Sequence, residues 1–288
     1  MVIKKGNERQ FISFDWAMKR LLRSKANFGI LEGFLSELLL DDIKIQDILE
    51  SESNKEDEDD KYNRVDMLVR NKKGELILIE VQYKHRSDYY HRMLYGVSKL
   101  IVEHMQKGWD YDRVKKVISV NLIYFDLGQG EDYIYKGTTN FVGRHNGVEL
   151  DLLETEKTSF GKESVSGLFP EYYVIKINNF NDVAKDTLDE WIYFLKNEEI
   201  KNNFKAKGLD EAKDKLDIMK LSKKERMAHE RRSENRRDIN SAYNVNYKVA
   251  KVEAKLEIAK KMLENDFDIK DIKKITGLSV KAIKNQKT

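Results

Sequence analysis

The sequence predicts an α/β core that is followed by a helical C-terminal region. The first observation is a β-hairpin, in which two strand-like segments flank the turn Asn71-Lys-Lys-Gly74. The second is the order of elements around it, with helices before the hairpin and a helix and an apolar strand after it. The third is a change of composition beyond about Asn178, after which Lys, Glu, Ala and Arg dominate residues 200–265.

Composition narrows the classes of protein and of site that the chain can represent. The chain has no Cys, which excludes disulfides, thiolate nucleophiles and zinc–thiolate sites. Its 53 Lys and Arg against 50 Asp and Glu give a net charge of +3, too small by itself to indicate a polyanionic partner. No apolar signal core follows the first Met, and no apolar run approaches the roughly 18 residues of a membrane span. We therefore expect a soluble, cytoplasmic protein without membrane association.

Two amphipathic helices are predicted before the hairpin, over residues 14–24 and 27–40, from apolar side chains at helical spacing. Residues 50–60 are then almost all polar and mostly acidic. Like charges at this density repel one another and have nothing to bury, so we expect a mobile loop. An acidic segment beside a DNA site could alternatively mimic a nucleic acid strand.

The elements after the hairpin alternate between helix and strand. Apolar spacing predicts a helix over residues 88–107, and a nearly continuous apolar run predicts a buried strand over 116–125, parallel to its neighbour. The remaining predicted core elements are strands near 133–141, 147–152 and 172–177 and a helix over 183–195.

The C-terminal tail carries a more specific pattern. Helices are predicted over 249–263, 269–276 and 280–286, with Thr276-Gly-Leu-Ser279 as a tight turn, which resembles a helix-turn-helix. Residues 248–288 contain 11 Lys against 6 acids, which suits contact with DNA. A helical oligomerisation arm would show the same composition, and both interpretations stay open.

Asp66, Glu80 and Gln82 are the residues that can carry chemistry. With the turn at residues 71–74, Asp66 lies opposite Glu80 directly or one position diagonally, and directly opposed Cβ atoms are roughly 4.5–5.5 Å apart. Glu80 and Gln82 are two residues apart and share one face of the strand, whereas Ile79 and Val81 lie on the other.

Two carboxylates this close repel each other unless one is protonated or a cation lies between them. Hard oxygen ligands favour Mg²⁺ or Mn²⁺, and such an ion can lower the pKa of a bound water and stabilise charge on a phosphate. An ordinary hairpin whose polar face meets solvent would show the same residues, so the pattern alone does not decide.

The hairpin and several short motifs around it resemble a known family. Asp66 followed by Ile79-Glu-Val-Gln82 is similar to the active-site hairpin of PD-(D/E)XK nucleases, and more narrowly to the bacterial Rpn family of recombination-promoting nucleases and putative transposases. The further motifs, in chain order, are Asp15-Trp-Ala-Met-Lys19, Arg92-Met-Leu-Tyr95, Gly108-Trp-Asp-Tyr111, Ala259-Lys-Lys-Met-Leu263 and Thr276-Gly-Leu-Ser279. The resemblance covers most of the chain, and it is the order and spacing of the motifs that give it specificity.

The resemblance implies a restriction-endonuclease-like mixed sheet flanked by helices, with a helical C-terminal region. It divides the chain into a nuclease-like core at 10–178, a helical extension at 179–247 and a helix-turn-helix-like module at 248–288. The implied activity is metal-dependent DNA endonuclease action linked to recombination or transposition, with Mg²⁺ or Mn²⁺ as cofactor, DNA as partner and a homodimer as the expected assembly.

Roles for individual residues follow from the same resemblance. Asp66 and Glu80 would hold the metal, and Gln82 would orient the attacking water. The chain departs from the superfamily pattern at two positions, because Val65 replaces the usual Pro and Gln82 replaces the usual Lys. A Gln amide can hydrogen-bond water but carries no charge, which bears on the turnover rate more than on the metal site.

Residues near the hairpin receive smaller roles with open alternatives. Asp15 could be a third metal ligand or a solvent-facing helix acid, and Lys19 could contact phosphate or simply lie on a helix surface. Arg92 and Tyr95 could line the DNA groove or brace the carboxylates, although Tyr95 is expected to pack in the core. Three consecutive residues form a basic rim suited to phosphates, namely Lys84, His85 and Arg86.

Two other classes of function remain compatible with the sequence. Gln82 allows a DNA-binding protein with a degenerate nuclease site, and the long charged C-terminal half allows a helical assembly protein. Nucleophilic catalysis by a Ser or Cys triad and nucleotide binding by a P-loop find no motif in the chain.

Overall fold

The computed structural model describes residues 11–49 and 64–286. The chain divides into two compact units, and the boundary between them falls between Arg232 and Ser233. The acidic stretch at residues 50–60, for which a mobile loop was expected, lies outside the described residues.

The strands of the first unit form one mixed sheet. They are β1 (Ile45–Leu49), β2 (Arg64–Asn71), β3 (Leu76–Gln82), β4 (Val117–Ile123), β5 (Ile134–Gly137) and β6 (Glu171–Lys176). Their order across the sheet is β1-β2-β3-β4-β6-β5. The three central strands β3, β4 and β6 are parallel, and the remaining pairings are antiparallel. This is the mixed, helix-flanked α/β fold that the resemblance implied.

The helices extend along the whole chain. They are α1 (Phe14–Arg20), α2 (Phe28–Leu39), α3 (Tyr89–Glu103), α4 (Glu154–Phe160), α5 (Thr187–Asn197), α6 (Leu209–Lys215), α7 (Lys223–Glu264), α8 (Ile269–Thr276) and α9 (Val280–Lys284). Short 3-10 helices occupy Lys25–Asn27, Tyr111–Arg113, Val165–Gly167, Ile177–Asn179 and Ile218–Lys220.

The hairpin of β2 and β3 forms where the sequence predicted it. Gly74 closes the turn with φ of +78°, a conformation that costs a residue without Cβ little. The N–H of Gly74 donates to the Asn71 carbonyl at 2.9 Å, and the Asn71 side-chain oxygen accepts the N–H of Glu75 at 2.9 Å. The Asn71 side chain thus fixes the turn, and the turn fixes the register of the two strands.

The two faces of the sheet bury different sets of side chains. Alternate positions of the central strands, such as Ile79 and Val81, join a large core with residues of α1, α2, α5 and α6. The other positions, such as Leu76 and Leu78, pack against Val97 of α3 in a smaller core. Because both faces are covered, β4 is buried along its entire length, as the apolar run at 116–125 predicted. The large core continues past Asn178, to Leu216 in the connection after α6.

Several details of the prediction were wrong. No strand forms at 147–152, where the described chain has only an isolated bridge between Val142 and Glu149. Residues 147–152 are largely exposed, and within the described chain no neighbouring strand pairs with them along their length. The helix predicted to begin at Val249 is instead the end of α7, because Ala, Glu and Lys continue without a Gly or Pro that would stop the helix.

Candidate active site

The register of the hairpin places Asp66 directly opposite Glu80. In the same ladder Arg64 pairs with Gln82 and Leu68 pairs with Leu78. Directly opposed positions of an antiparallel pair share one face of the sheet. The side chain of Asp66 is outside the described part of the structure, so this statement concerns its backbone position. Of the two arrangements that the sequence allowed, the direct pairing is the one observed.

Glu80 and Gln82 lie near the carboxyl end of β3 and are almost fully buried. Their side chains are 5% and 3% exposed, respectively. Residues two apart on a strand point to the same face, so Glu80 and Gln82 lie on the same face of the sheet as Leu76 and Leu78. Helix α3 packs against this face. A polar face that meets solvent, the ordinary alternative for this hairpin, would leave Glu80 exposed, and that alternative is wrong for Glu80 and Gln82.

A hydrogen bond to the backbone orients the Gln82 amide. Its Nε2 donates to the carbonyl oxygen of Lys84 at 3.1 Å. This contact fixes which end of the amide is the donor to the protein, and it leaves Oε1 as the group that can accept a hydrogen bond from a ligand.

The neighbouring strand β4 contributes a buried polar cluster that the sequence analysis did not identify. Asn121 pairs in parallel register with Glu80 and is fully buried. Its Oδ1 accepts the hydroxyl of Tyr89 at 3.2 Å, and its Nδ2 donates to Ser119 Oγ at 2.9 Å and to the Tyr173 carbonyl at 3.1 Å. Ser119 and Asn121 are polar at alternate positions of an otherwise apolar strand, and this spacing was the available signal.

Asp15 is buried in α1, so the alternative of a solvent-facing helix acid is wrong. Its Oδ1 accepts the hydroxyl of Tyr83 at 2.8 Å. The ring of Tyr83 belongs to the large core and stacks on Tyr124 with the ring centroids 4.3 Å apart. A role for Asp15 as a third metal ligand stays a prediction.

The basic rim follows directly after β3. Lys84 is exposed, and Arg86 and Arg92 are half-buried. Arg86 makes a long ion pair with Asp88, 3.5 Å between Nε and Oδ1. The side chain of Lys19 is outside the described part of the structure. Tyr95 is 69% exposed, which contradicts the expectation that it packs in the core. Helix α3 buries a different face, which carries Met93 and Val97.

The donor set at the hairpin fits a hard divalent cation. Asp66 and Glu80 supply carboxylate positions on adjacent strands, and carboxylate oxygens are the ligands that Mg²⁺ and Mn²⁺ prefer. Among the side chains that the structure describes, no group of three or more His, Asp or Glu is assembled into a metal cluster. Mg²⁺ often binds through one or two carboxylates plus water and phosphate oxygens, so a pair of acids suffices.

The second unit folds around a small core of its own. Ala259, Ile272 and Ile283 are fully buried, one each from α7, α8 and α9. Asp268 and Ser279 cap the N-termini of α8 and α9, and Gly277 ends α8 with φ of +68°. The predicted helix at 269–276 and the turn after it are therefore present, and the helix predicted at 280–286 is present as α9, which ends at Lys284.

Comparison with known proteins identifies both parts of the chain. The family described as PD-(D/E)XK nuclease family transposase matches residues 12–246. The C-terminal HTH domain of the Rpn/YhgA-like nuclease family matches residues 252–288. No curated protein and no solved structure matched the chain. Within residues 11–49 and 64–286, no helix is both long and apolar enough to span a bilayer. The chain is thus a member of the PD-(D/E)XK nuclease family transposases and carries the Rpn/YhgA-like helix-turn-helix domain at its C-terminal end.

Proposed function

We propose that this protein is a metal-dependent DNA endonuclease that hydrolyses phosphodiester bonds in DNA recombination or transposition. The observation that carries the proposal is the direct pairing of Asp66 with Glu80 in a sheet whose face buries the Glu80 side chain. Because a buried carboxylate beside a second acid position favours a bound cation, the pair suits a divalent metal better than it suits a purely structural role. Since the proposed substrate is DNA, we place the reaction in the cytoplasm.

Asp66 and Glu80 would hold Mg²⁺ or Mn²⁺, with Asp15 as a further candidate ligand. When bound, the ion supplies charge stabilisation at the phosphate and acidifies a bound water. The chain's own contribution is position and orientation. Glu80 is fixed by β3 between two paired strands, and a rigid strand holds a ligand more accurately than a loop does.

Gln82 would orient the attacking water through its amide oxygen. Because Nε2 donates to the Lys84 carbonyl, Oε1 is the atom that can accept the water's O–H. A neutral amide cannot offset the negative charge that develops on the phosphate during hydrolysis. We therefore expect Gln82→Lys to raise the rate of DNA cleavage if the new ammonium group occupies the position of the Gln82 amide.

The DNA backbone would lie along the basic rim of Lys84, His85 and Arg86, which follows the active-site strand. Arg92 in the first turn of α3 would add a contact, and Lys19 is a further candidate on α1. Such contacts position the duplex without reading its sequence. The helix-turn-helix domain gives the protein a second DNA-binding element, and a homodimer would bring two active sites to the two strands of a duplex.

Plasmid cleavage tests the proposal. The wild-type chain should nick or linearise supercoiled DNA with Mg²⁺ or Mn²⁺ and should stop when EDTA is added. Glu80→Gln and Asp66→Asn keep the size of each side chain and should each lower cleavage at least 100-fold, because each removes a metal-binding charge. Glu154→Gln, at an acid of α4 that is 88% exposed, is the matched control and should cut like the wild type. Cleavage that survives both site substitutions would refute the assignment.

A DNA-binding protein with a degenerate nuclease site is the second candidate, and Gln82 is the observation that favours it. In that case the wild-type chain binds DNA but does not cut it with any divalent ion, and Gln82→Lys leaves it inactive. A helical assembly protein would neither bind nor cut DNA and would form stable oligomers, which light scattering would detect.

A further inference from the structure

Lys176 is a buried cation that the proposed reaction does not use. It is the last residue of β6, and its side chain is 3% exposed. A lysine is almost never buried to this degree unless a partner neutralises it. The groups around the Lys176 ammonium therefore indicate what neutralises its charge.

The protein gives the Lys176 ammonium group only weak partners. Nζ lies 3.5 Å from the carbonyl oxygen of Gly130 and 5.8 Å from the centre of the Tyr135 ring. Within the described residues Lys176 takes part in no ion pair. By contrast, Lys116, the residue directly before β4, forms an ion pair with Glu171 in which Nζ and Oε1 are 2.6 Å apart. Since burial of an unpaired charge is costly, Lys176 has the properties of a cation whose anion comes from a ligand.

A second polar group near Lys176 has no hydrogen-bond partner among the described residues. The hydroxyl of Tyr135 is inaccessible to solvent and makes no hydrogen bond to any residue that the structure describes. Tyr135 lies on β5 next to β6, paired with Val174. An ammonium group and a phenol hydroxyl are both donors, and a phosphate group can accept a hydrogen bond from each.

The strand registers place this pair on the same face of the sheet as the candidate active site. Gln82 pairs with Ile123, which pairs with Lys176, and residues that pair in register across neighbouring strands lie on one face. Two strand spacings of 4.7–4.9 Å put the backbones of Gln82 and Lys176 roughly 10 Å apart. That distance equals the axial rise of roughly three nucleotides along one DNA strand at 3.4 Å each.

The loop between β4 and β5 contains Gly130, whose carbonyl oxygen is the one that lies 3.5 Å from the Lys176 ammonium nitrogen. It leaves β4 at the carboxyl ends of the parallel strands, where open α/β sheets bind their ligands. Gly130 has φ of +137°, and a Cβ on it would collide with the Tyr135 hydroxyl. The loop's carboxylate Asp132 is held by the backbone N–H of Tyr133 at 2.7 Å, while Glu131 is exposed.

We infer that Lys176 and Tyr135 form a phosphate-binding subsite that holds the backbone of bound DNA a few nucleotides from the scissile bond. The inference rests on the proposed function for the identity of its ligand. Because both groups are buried, binding requires the Gly130 loop to shift, so that a phosphoryl oxygen replaces the Gly130 carbonyl as the partner of the ammonium group and accepts the hydroxyl of Tyr135. The subsite adds affinity and fixes the path of the DNA; it takes no part in bond cleavage.

The experiment compares Lys176→Met with Lys116→Met in the full chain, with EDTA present so that DNA is bound and not cut. Lys176→Met should keep or raise the unfolding temperature, because it removes an unpaired buried charge, and should weaken DNA binding about tenfold at low salt. It should also reduce the slope of log K against log salt by about 0.7–0.9, the loss of one phosphate contact. Lys116→Met should lower the unfolding temperature, because Glu171 loses its partner, and should leave the salt slope unchanged.

Two further arms separate the source of the phosphate and guard against misfolding. Inorganic phosphate should raise the unfolding temperature of the wild type and should do so less for Lys176→Met, which shows that the subsite binds the group itself. Tyr135→Phe keeps the ring and removes one donor, so it should give a smaller loss of DNA affinity, and Lys176→Arg should restore part of the salt slope. Tyr135→Phe decides the test if Lys176→Met fails to fold.

The outcomes for the subsite and for the proposed nuclease are distinct. If Lys176→Met or, failing that, Tyr135→Phe keeps the wild-type salt slope and phosphate response, the subsite is wrong even where the wild type cuts plasmid. If the slope falls in a protein that does not cut, the subsite stands and the nuclease proposal fails. A wild type that binds neither DNA nor phosphate overturns the subsite as well.

Discussion

The hydroxyl of Tyr89 donates to the side-chain oxygen of Asn121 at 3.2 Å, and both residues are almost completely buried. Tyr89 is the first residue of α3, and Asn121 lies on β4 directly beside Glu80. The hydrogen bond therefore joins the start of the helix that covers the candidate active site to the strand that flanks it. Tyr89 also packs edge-on against Phe125, with the ring centroids 5.4 Å apart, which holds the phenol in place.

Tyr89→Phe should destabilise the protein by about 1–3 kcal/mol, because the Asn121 oxygen loses its donor in a site without solvent. Urea unfolding followed by tryptophan fluorescence measures the change. Tyr111→Phe is the control, since Tyr111 is 90% exposed and its hydroxyl is free to meet water; it should change stability by less than about 0.5 kcal/mol. Equal effects of the two substitutions would show that the Tyr89–Asn121 contact contributes nothing to stability.

Acid should destabilise the first unit through two glutamates at the amino ends of the parallel strands. Burial by itself would raise the pKa of Glu75, but hydrogen bonds from Lys162 and Asn71 outweigh it, so this pKa lies below its ordinary value. In Glu171 burial is likewise outweighed by the hydrogen bond and charge of Lys116, which lowers its pKa. A lowered folded-state pKa gives stability that is complete above the unfolded pKa of about 4.3 and is lost as pH falls through the folded pKa.

The free energy of unfolding should therefore decline as the pH falls below about 5, and urea titrations at a series of pH values would record the decline. The double variant Glu75→Gln and Glu171→Gln should be less stable than the wild type at neutral pH and should show a shallower dependence on acid. If the double variant shows the same dependence as the wild type, other groups control acid unfolding.

The sequence predicted the parts of the fold whose signals are local. One turn, Asn71-Lys-Lys-Gly74, and the alternation on both strands limited the register to two pairings, and the structure shows the one that places Asp66 directly opposite Glu80. The long apolar run of β4 and the turn Thr276-Gly-Leu-Ser279 between α8 and α9 are equally local. The roles of Asp66, Glu80 and Gln82 in catalysis stay predictions.

Features that depend on distant neighbours could not be predicted. Strand β1 (Ile45–Leu49) and helix α4 (Glu154–Phe160) are short and weakly patterned, and β1 is formed by pairing with β2. Lys176 stands in the sequence as an ordinary polar position at a strand end. Its significance appears only from the register through β4 and from its burial, and neither is encoded in the residues beside it.

Gly33 and Gly96 are both helical glycines, and Ala should have opposite effects at the two positions. A Cβ on Gly33 in α2 would collide with the backbone carbonyl of Lys207 and lie 2.7 Å from the Gly208 Cα. Backbone cannot rotate away as a side chain can, so Gly33→Ala should destabilise by about 3 kcal/mol or more. On Gly96 in α3 the nearest atom would be Leu78 Cδ2 at an ordinary 3.7 Å.

Gly96→Ala should accordingly stabilise the protein by about 0.5–1 kcal/mol, because Ala loses less backbone entropy than Gly on entering a helix. Thermal unfolding of the two variants beside the wild type measures both signs at once. A destabilised Gly96→Ala protein would mean that α3 packs more closely on β3 than the 3.7 Å contact indicates.

Ile272→Ala should unfold the second unit selectively. Ile272 is one of three fully buried residues in its small core, with Ala259 and Ile283, and removal of a buried Ile side chain costs about 2–5 kcal/mol. Such a loss exceeds what a core of this size can supply. All three tryptophans of the chain, Trp16, Trp109 and Trp191, lie in the first unit, so tryptophan fluorescence reports on that unit alone.

The expected result is an unchanged fluorescence transition together with faster amide hydrogen exchange in α8 and α9. Because the helix-turn-helix domain is a DNA-binding element, the affinity for duplex DNA should fall as well, while Ile275→Ala, at an exposed position of the same helix, should change neither quantity. DNA affinity that persists after α8 and α9 lose their exchange protection would assign DNA binding to the nuclease unit alone.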